Sequence, residues 1–445
     1  MTIDNADNRP SVLQTLMKVR PEERRVLALS ALYFFLVMAS YFILRPIRDQ
    51  MGVAGGVRNL PWLFTGTLTA MLLISPVFSA LVSRLPRRRF VTWSYRALMA
   101  CLLGFFVALQ TLPEHSMVWV GRAFFVWVSV FNLFAVSLFW AVMADTYDAP
   151  TSRRLYGVIM AGGSLGALLG GLVTASLVDW IGAPALLLVS LVMLEAALWC
   201  MFAIHRRSID AGRGSAPGAS TAATHDEAVI GGGALDGFRL ALRSPYLLGI
   251  CGYMLLYTIG STFLYILQAQ VVDATVDGAA AQTAYFAHVD IWVNGLTLVL
   301  QLFLTGRMMA RLGVGLTLAA LPLISVLGFA ALGALPVLAA VVVFTVARRV
   351  TNYALSRPAR EALFVPLDRS EKYKAKNLID TAVYRIGDQI GAWSHALLMA
   401  LGLGIGGIAL CAVPLSALWL ALSLWLGRRY RAMPRAQTAR ADAPH

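Results

Sequence analysis

The chain has 445 residues, of which 58% are hydrophobic and only 13% charged, with a mean hydropathy of +0.70, which excludes an ordinary soluble domain. The formal net charge of +14 does not point to nucleic acid, because the basic residues form short clusters between apolar runs rather than one face. The four cysteines, Cys101, Cys200, Cys251 and Cys411, lie singly in different apolar segments, so neither disulfides nor a zinc site is expected, and no cofactor motif accompanies them.

Residues 1–25 are polar and lack a short apolar core with a small-residue cleavage site, so they read as a cytoplasmic segment ahead of a retained signal anchor. Runs long enough to cross a bilayer as helices follow near 26–48, 60–83, 90–112, 118–143, 155–178, 183–204, 246–270, 285–306, 314–334, 336–356, 377–401 and 405–427. The longest polar interruption, His205 to Pro245, is rich in Gly, Ser, Ala and Asp and reads as a flexible cytoplasmic linker. The expected fold is therefore an all-α polytopic membrane protein of about twelve transmembrane helices in two pseudo-symmetric six-helix bundles. These cover 26–204 and 246–428, with a tail at 429–445. With the N-terminus inside, cytoplasmic segments hold Arg84, Arg87, Arg88, Arg89, Arg153, Arg154, Arg206, Arg207, Arg307, Arg311, Lys372, Lys374, Lys376, Arg428, Arg429 and Arg431. The opposite loops are expected to hold Arg45, Arg48, Arg58 and Arg122 with Asp179, Asp273 and Asp277. That asymmetry puts both termini in the cytoplasm and the protein in a bacterial inner membrane.

The first span ends in Tyr41-Phe42-Ile43-Leu44-Arg45-Pro46-Ile47-Arg48-Asp49-Gln50. A helix that continues through Pro46 puts Tyr41, Arg45 and Arg48 on one face at i, i+4 and i+7. Charges attached to a span either face water, a partner or a ligand, or snorkel to headgroups. Further polar stripes follow. The fourth span has Ser129 and Asn132, and the seventh has Tyr253, Tyr257, Ser261, Tyr265 and Gln268. In the eighth, Asp290, Asn294, Thr297 and Gln301 recur at i, i+4, i+7 and i+11; the tenth has Arg349, Asn352 and Ser356, with Arg348 and Tyr353 alongside. Arg385 and Asp388 stand at i, i+3 in the eleventh, with Asp388 roughly 16 Å deep. Any one stripe serves equally to bond helices together. The glycines Gly162, Gly163, Gly166, Gly170 and Gly171 read as a helix-packing face, since no strand precedes them as a phosphate loop requires. Glu195, a lone acid in the sixth span, is either a proton carrier or the partner of a neighbouring cation.

The halves are weak copies of each other. Ser79-x3-Ser83-Arg84-x-Pro86 matches Gly306-x3-Ala310-Arg311-x-Gly313, and Gly162-x3-Gly166-Ala167 matches Gly387-x3-Gly391-Ala392. A six-plus-six repeat with this loop pattern resembles the major facilitator superfamily, whose two halves rock about a central site. A second resemblance is to the ATP/ADP translocase (nucleotide transporter) family. It rests on Leu44-Arg45-Pro46-Ile47-Arg48-Asp49, Ser137-Leu138-Phe139-Trp140, Arg154-Leu155-Tyr156-Gly157, Arg360-Glu361, Val365-Pro366-Leu367-Asp368, Lys374-Ala375-Lys376, Asp380 and Arg385-Ile386-Gly387. That family's lysine is Arg48 here, its second lysine is Asp388 and its glutamate is Val128, as in a divergent bacterial branch.

The resemblance implies that spans 1, 4, 7 and 10 line a shared aqueous cavity. The excess of arginine over acid there implies an anionic cargo, because guanidinium groups clamp carboxylate and phosphate in a fork. Candidate cargo residues are Tyr41, Arg45, Arg48, Asn132, Tyr257, Gln268, Asn294, Arg349, Asn352 and Arg385; candidate coupling or gating residues are Asp49, Asp290 and Asp388. The expected activity is secondary active transport of a small anionic solute, a nucleotide or other phosphate-bearing molecule included, by exchange or ion coupling. A flippase for lipids or lipid-linked precursors, an anion channel and a non-transporting sensor are the alternatives. No nucleophile–base set or ATPase motif supports an enzyme or a primary pump. Apart from its solute the chain is expected to meet membrane lipids and to work as a monomer. A reporter fused at residue 225 tests the topology: green fluorescent protein there is expected to fluoresce and alkaline phosphatase to be inactive, and the reverse overturns the repeat assignment.

Overall fold

The backbone polar groups of a chain in lipid must be satisfied within the chain, and the apolar runs do so as helices. The computed structural model describes residues 20, 23–84, 86–210, 244–367, 375, 376 and 378–433. In the first half these form α1 (Arg24–Ala54), a single 3-10 turn (Val57–Asn59), α2 (Leu60–Arg84), α3 (Arg87–Thr111), α4 (Glu114–Thr146) and the helical run Ala149–Asp210. The apolar part of that run, Arg154–Arg207, has 54 residues. Straight, it would reach about 80 Å, far beyond a bilayer core of about 30 Å. It breaks instead at Gly182, whose φ of 75° no side chain would favour, and restarts at Pro184. The two limbs are α5 (149–181) and α6 (183–210).

The second half begins with α7 (Pro245–Thr275) and α8 (Ala279–Phe303). The next helix, α9 (Thr305–Ala334), breaks at Gly313 (φ 74°), which sets a short basic turn apart from the span. In α10, Leu338–Thr351 passes through a π-helical turn, Asn352–Ser356, into Arg357–Leu363. A second π turn, Ile379–Val383, opens α11 (Tyr384–Ala400), and α12 is Ile405–Ala432. Among the described residues, nine of these stretches are long and apolar enough to span a membrane, the broken double-length run counting once. The protein is thus an all-α, multi-pass membrane protein.

Most helices outrun the apolar stretches that announced them, and one group of expectations needs correction. Arg45 and Arg48, expected in an outer loop, lie inside α1, and Arg122 lies inside α4. Asp179 and Asp273 are also helical, in α5 and α7. Helix α1 continues through Pro46 because a proline removes a single backbone hydrogen bond, and flanking helices hold the rest of the segment in register. Helix α6 runs to Asp210, into the stretch read as linker. Residues 211–243, 1–19 and 434–445, with Lys372 and Lys374, lie outside the described residues.

Packing repeats between the halves. Helix α1 lies along α5 and α6, and α7 packs on α11 and α12. A Cβ at Gly162 would stand 2.6 Å from the Ala31 carbonyl oxygen, and Gly166 meets the Phe35 backbone one turn on. Correspondingly, Gly391 presses on Ile259 and Thr262 of α7, and Gly387 on Leu255 and Thr258. Both glycine pairs therefore do the same job, letting the eleventh or fifth helix approach the first helix of its own half backbone to backbone. Some buried hydroxyls pair with one another across helices: Tyr33 donates to Tyr95 at 2.9 Å, and Ser40 bonds Ser190 at 2.7 Å, whereas those of Thr297 and Thr345 are buried without a partner. Glu195 is held by both guanidinium nitrogens of Arg96 at 2.6 and 2.9 Å, and by the Trp199 indole at 3.0 Å, which favours its reading as a neighbour's partner.

At the start of α1, burial pushes the Glu23 carboxyl up, but Arg154 and the Arg20 backbone N–H outweigh it and hold it below the ordinary carboxylate value. That stabilisation is present at neutral pH and is lost as pH falls through the depressed value.

The halves meet through α2 against α11 and through α8 against α1 and the α5 limb. An apolar cluster joins them where α1 and α7 end: Val53, Val57, Leu60, Leu63 and Phe125 pack with Ile266, Ala269, Val272, Phe286 and Ala392. Trp62 stands edge-on to Trp393 at 4.9 Å, and Thr65 donates to Gln389 at 2.8 Å. Among the described residues no comparable apolar cluster joins the bundles at the other end. The described residues are therefore sealed between the halves at the end of α1 and α7. Gly166→Leu or Gly391→Leu is expected to destabilise the protein by about 3 kcal/mol, the upper part of the overpacking range. Gly104→Leu, whose added Cβ meets nothing within 4 Å, is expected to be tolerated. Thermal melting in detergent distinguishes the two outcomes.

Candidate functional site

A guanidinium in hydrocarbon requires a partner, so the site is best built from where its arginines go. Helix α1 carries Arg45 and Arg48 past Pro46 at i, i+3, close enough in angle to share a face yet far enough apart to reach different helices. Arg45 Nη1 lies 3.2 Å from Asp290 Oδ1 on α8. Arg349 Nη2, from the last turn of α10 before its π turn, donates to the same oxygen at 2.7 Å. One carboxylate oxygen thus joins an arginine from each bundle. Asp290 is buried, at 3% side-chain exposure, whereas Arg45 and Arg349 keep 16% and 18%. The pairing is incomplete: Asp290 Oδ2 and Arg45 Nε are buried and make no hydrogen bond.

Arg48 turns to its neighbour. Its Nε and Nη2 both reach Asp49 Oδ1, at 3.0 and 2.6 Å, and its plane lies over the Phe125 ring of α4 at 5.1 Å. Tyr265 of α7 donates to the same Asp49 oxygen at 3.0 Å, a second polar tie between the bundles. In α11, Arg385 Nη1 lies 3.4 Å from Asp388 Oδ2, and the Thr262 hydroxyl donates to Asp388 Oδ1 at 3.4 Å. The expected i, i+3 pair exists.

Asn352, in the π turn, donates to the Tyr257 hydroxyl at 2.9 Å and leaves its own Oδ1 without a partner. π turns recur where a helix must aim a side chain at a site. Asn294, one turn along α8 from Asp290, has a buried Nδ2 without a partner. Tyr353 stands in the field of Arg45, Arg349 and Arg357, with the Arg357 guanidinium over its ring at 5.4 Å. Tyr41 interacts with both α1 arginines.

Two anticipated residues stand apart. Gln268 donates to Tyr285 at 3.3 Å beside the sealed end, and Asn132 is half-buried on α4 without a hydrogen bond to the arginine cluster. One residue escaped assignment: Arg348, which is 2% exposed. It donates to Ser325, Ser261 and the Tyr257 carbonyl at 3.1, 3.1 and 3.0 Å, and lies over Tyr257 and Trp419 at 5.4 and 5.9 Å. No carboxylate faces it among the described residues. Its signal was the doublet itself, since consecutive helical residues diverge by about 100° and one of two arginines must then point into the bundle.

Arg45, Arg48, Arg349 and Arg385 thus face Asp49, Asp290 and Asp388, leaving one positive charge in excess before Arg348 is counted. The cluster suits an anion. A cavity of about 680 Å³ lies elsewhere, between α2 and α4, where Trp62, Trp119, Val126 and Val130 line it with Arg122 at one end; it shares no residue with the cluster. Its lining is mostly apolar, with Asn59 and Arg122 as the polar members, so it offers a charged solute far fewer partners than the arginine cluster, which is the better candidate.

The Major Facilitator Superfamily model matches residues 27–356. ADP,ATP carrier protein 1 of Chlamydia muridarum is 24% identical over 426 residues, covering 81% of this chain and 79% of its own. Among solved structures, a bacterial homologue of the iron transporter ferroportin in its inward-facing state aligns with a TM-score of 0.64 at 12% identity, over 91% of this chain and 99% of that one. The nucleoside transporter NupG aligns with a TM-score of 0.58 at 12% identity, over 93% and 99%. Replacing Arg45, Arg48 or Arg349 by Ala is expected to weaken anion uptake roughly ten- to hundredfold, the worth of a charged hydrogen bond, while the protein stays folded. Lysine should rescue only in part, since it lacks the fork. Full uptake in all three alanine variants would remove the cluster from the site.

Proposed function

The chain belongs to the Major Facilitator Superfamily and is a membrane transporter rather than an enzyme, and from that premise we propose that it moves a small anionic solute by alternating access, as an exchanger or ion-coupled carrier. The observation that carries this reading is the bridge Arg45–Asp290–Arg349, where arginines from both bundles converge on one oxygen. Bringing two guanidiniums together in a low-dielectric interior is costly unless an anion is to be held there. Two arginines with exposed faces, the Tyr257–Asn352 pair and the unpartnered amide of Asn294 provide the fork and the neutral donors that a phosphate or carboxylate needs.

The similarity to ADP,ATP carrier proteins over most of the chain supports a phosphate-bearing cargo, nucleotides included. The basic clusters support a cytoplasmic placement of both termini in a bacterial inner membrane, and with that placement the apolar seal where α1 and α7 end lies on the outer side. Asp49 and Asp388, each beside its own arginine, are the candidate coupling groups. In Asp388→Asn a gating role predicts retained binding with lost or altered pH-dependence of uptake. The decisive experiment is a thermal-shift screen of purified protein with nucleotides, sugar phosphates and organic acids, followed by uptake of each hit into proteoliposomes. A ligand at one hundred times its Kd is expected to add about 2.7 kcal/mol of stability. If no anion stabilises the protein and none is taken up, the anion-transport reading falls.

A further inference from the structure

Cargo-free carriers must also cross an occluded state if they are to return, and charge decides whether they do. We infer that Asp290 is a resident anion that stands in for cargo when the site is empty, so that the empty carrier returns unaided and the protein performs net transport rather than strict exchange. The inference rests on the transport reading above and adds its mode.

Four observations carry it. Asp290 contacts arginines from both bundles through one oxygen, so one of their two facing positive charges is already compensated across the bundle interface. Its grip is single-oxygen rather than bidentate, with Oδ2 and Arg45 Nε unused, which makes it replaceable by a better-fitting anion. The contact sits near mid-depth: Arg45 is nine residues from the end of α1 and Asp290 eleven from the start of α8, about 13 and 16 Å along their helices. There it lies in the interface between the bundles. Finally, the two other acids of the cluster are already engaged. Asp49 is engaged by Arg48 and Tyr265, and Asp388 by Arg385 and Thr262.

Without Asp290 the empty site would hold two facing guanidiniums with no counter-charge. Occluding them would be strongly unfavourable, and only a carrier with anionic cargo would then turn over. The carboxylate is thus what separates a net transporter from an exchanger on this scaffold.

The test needs no cargo. Ala269 of α7, only 3% exposed within the apolar layer of the sealed end, becomes reachable when that layer parts. Ala269→Cys is introduced with Cys101, Cys200, Cys251 and Cys411 replaced by Ser, and the purified, cargo-free protein in nanodiscs is treated with a polar maleimide. The expected result is steady labelling with Asp290 intact, at least tenfold slower labelling in Asp290→Asn, and recovery in Asp290→Glu. The double variant Asp290→Asn with Arg349→Gln, which restores the original charge balance, is expected to label within about threefold of the parent, an outcome that a purely structural loss would not give. Equal rates in Asp290→Asn, or no labelling with Asp290 intact, overturns the inference. The anion screen fails or succeeds independently, so loss of the transport reading would be recognised separately.

Discussion

A charge inside a hydrocarbon slab has to be answered by another charge, by dipoles or by water, and the contact of Asp290 with Arg45 and Arg349 is where this protein meets that demand across its two halves. Much of the geometry serves it. Helix α1 delivers Arg45 to α8 and has to pass through Pro46 intact to deliver Arg48 and Asp49 as well, and α10 has to bring Arg349 to its last regular turn before the π turn re-aims the chain. Arg348, one residue earlier, shows the other solution. It is answered entirely by hydroxyls, a carbonyl and two aromatic faces. A cation satisfied by neutral groups has little to exchange, whereas one shared between two arginines and a single oxygen does.

The rest of the fold separates what moves from what does not. Within each half, small residues let helices touch backbone to backbone: Gly162 and Gly166 against α1, Gly387 and Gly391 against α7. Interfaces of that kind tolerate little sliding, so each half behaves as a unit. Between the halves, Gly171 of α5 likewise comes close to α8 at Ala287 and Ile291, but at the sealed end the contacts are of a different sort. Side chains meet in an apolar layer near Val57 and Phe286, supported by one hydroxyl–amide bond and a pair of tryptophans. Such a layer can part without breaking any backbone hydrogen bond. The polar ties, Arg45–Asp290 and Tyr265–Asp49, lie deeper than the layer and connect the same two halves.

Class, span positions, repeat and glycine faces were all legible in the chain, because each depends on local periodicity and on the thickness of a bilayer. The stripe Asp290, Asn294, Thr297 declared an inward face for the same reason, and the i, i+3 spacing of Arg385 and Asp388 was enough to make them partners. The loops were less legible. Arg45, Arg48 and Arg122 read as loop residues because hydropathy falls where charges begin, yet helices continue past that point when neighbours cover the charge.

Which acid answers which arginine was decided by tertiary structure alone. Periodicity states the face of a helix on which a residue lies, but not which helix stands opposite or at what height. Asp290 therefore gave no sign that it would bridge the two bundles, Gln268 none that it would belong to the sealed end, and Arg348 none that it would be enclosed by neutral groups. By itself the sequence determined a membrane-embedded, two-part helical protein with more cations than anions in its interior. The crossing of helices remote in the chain settled how those charges are shared, because a Coulomb contact depends on distance through space and not on separation along the chain.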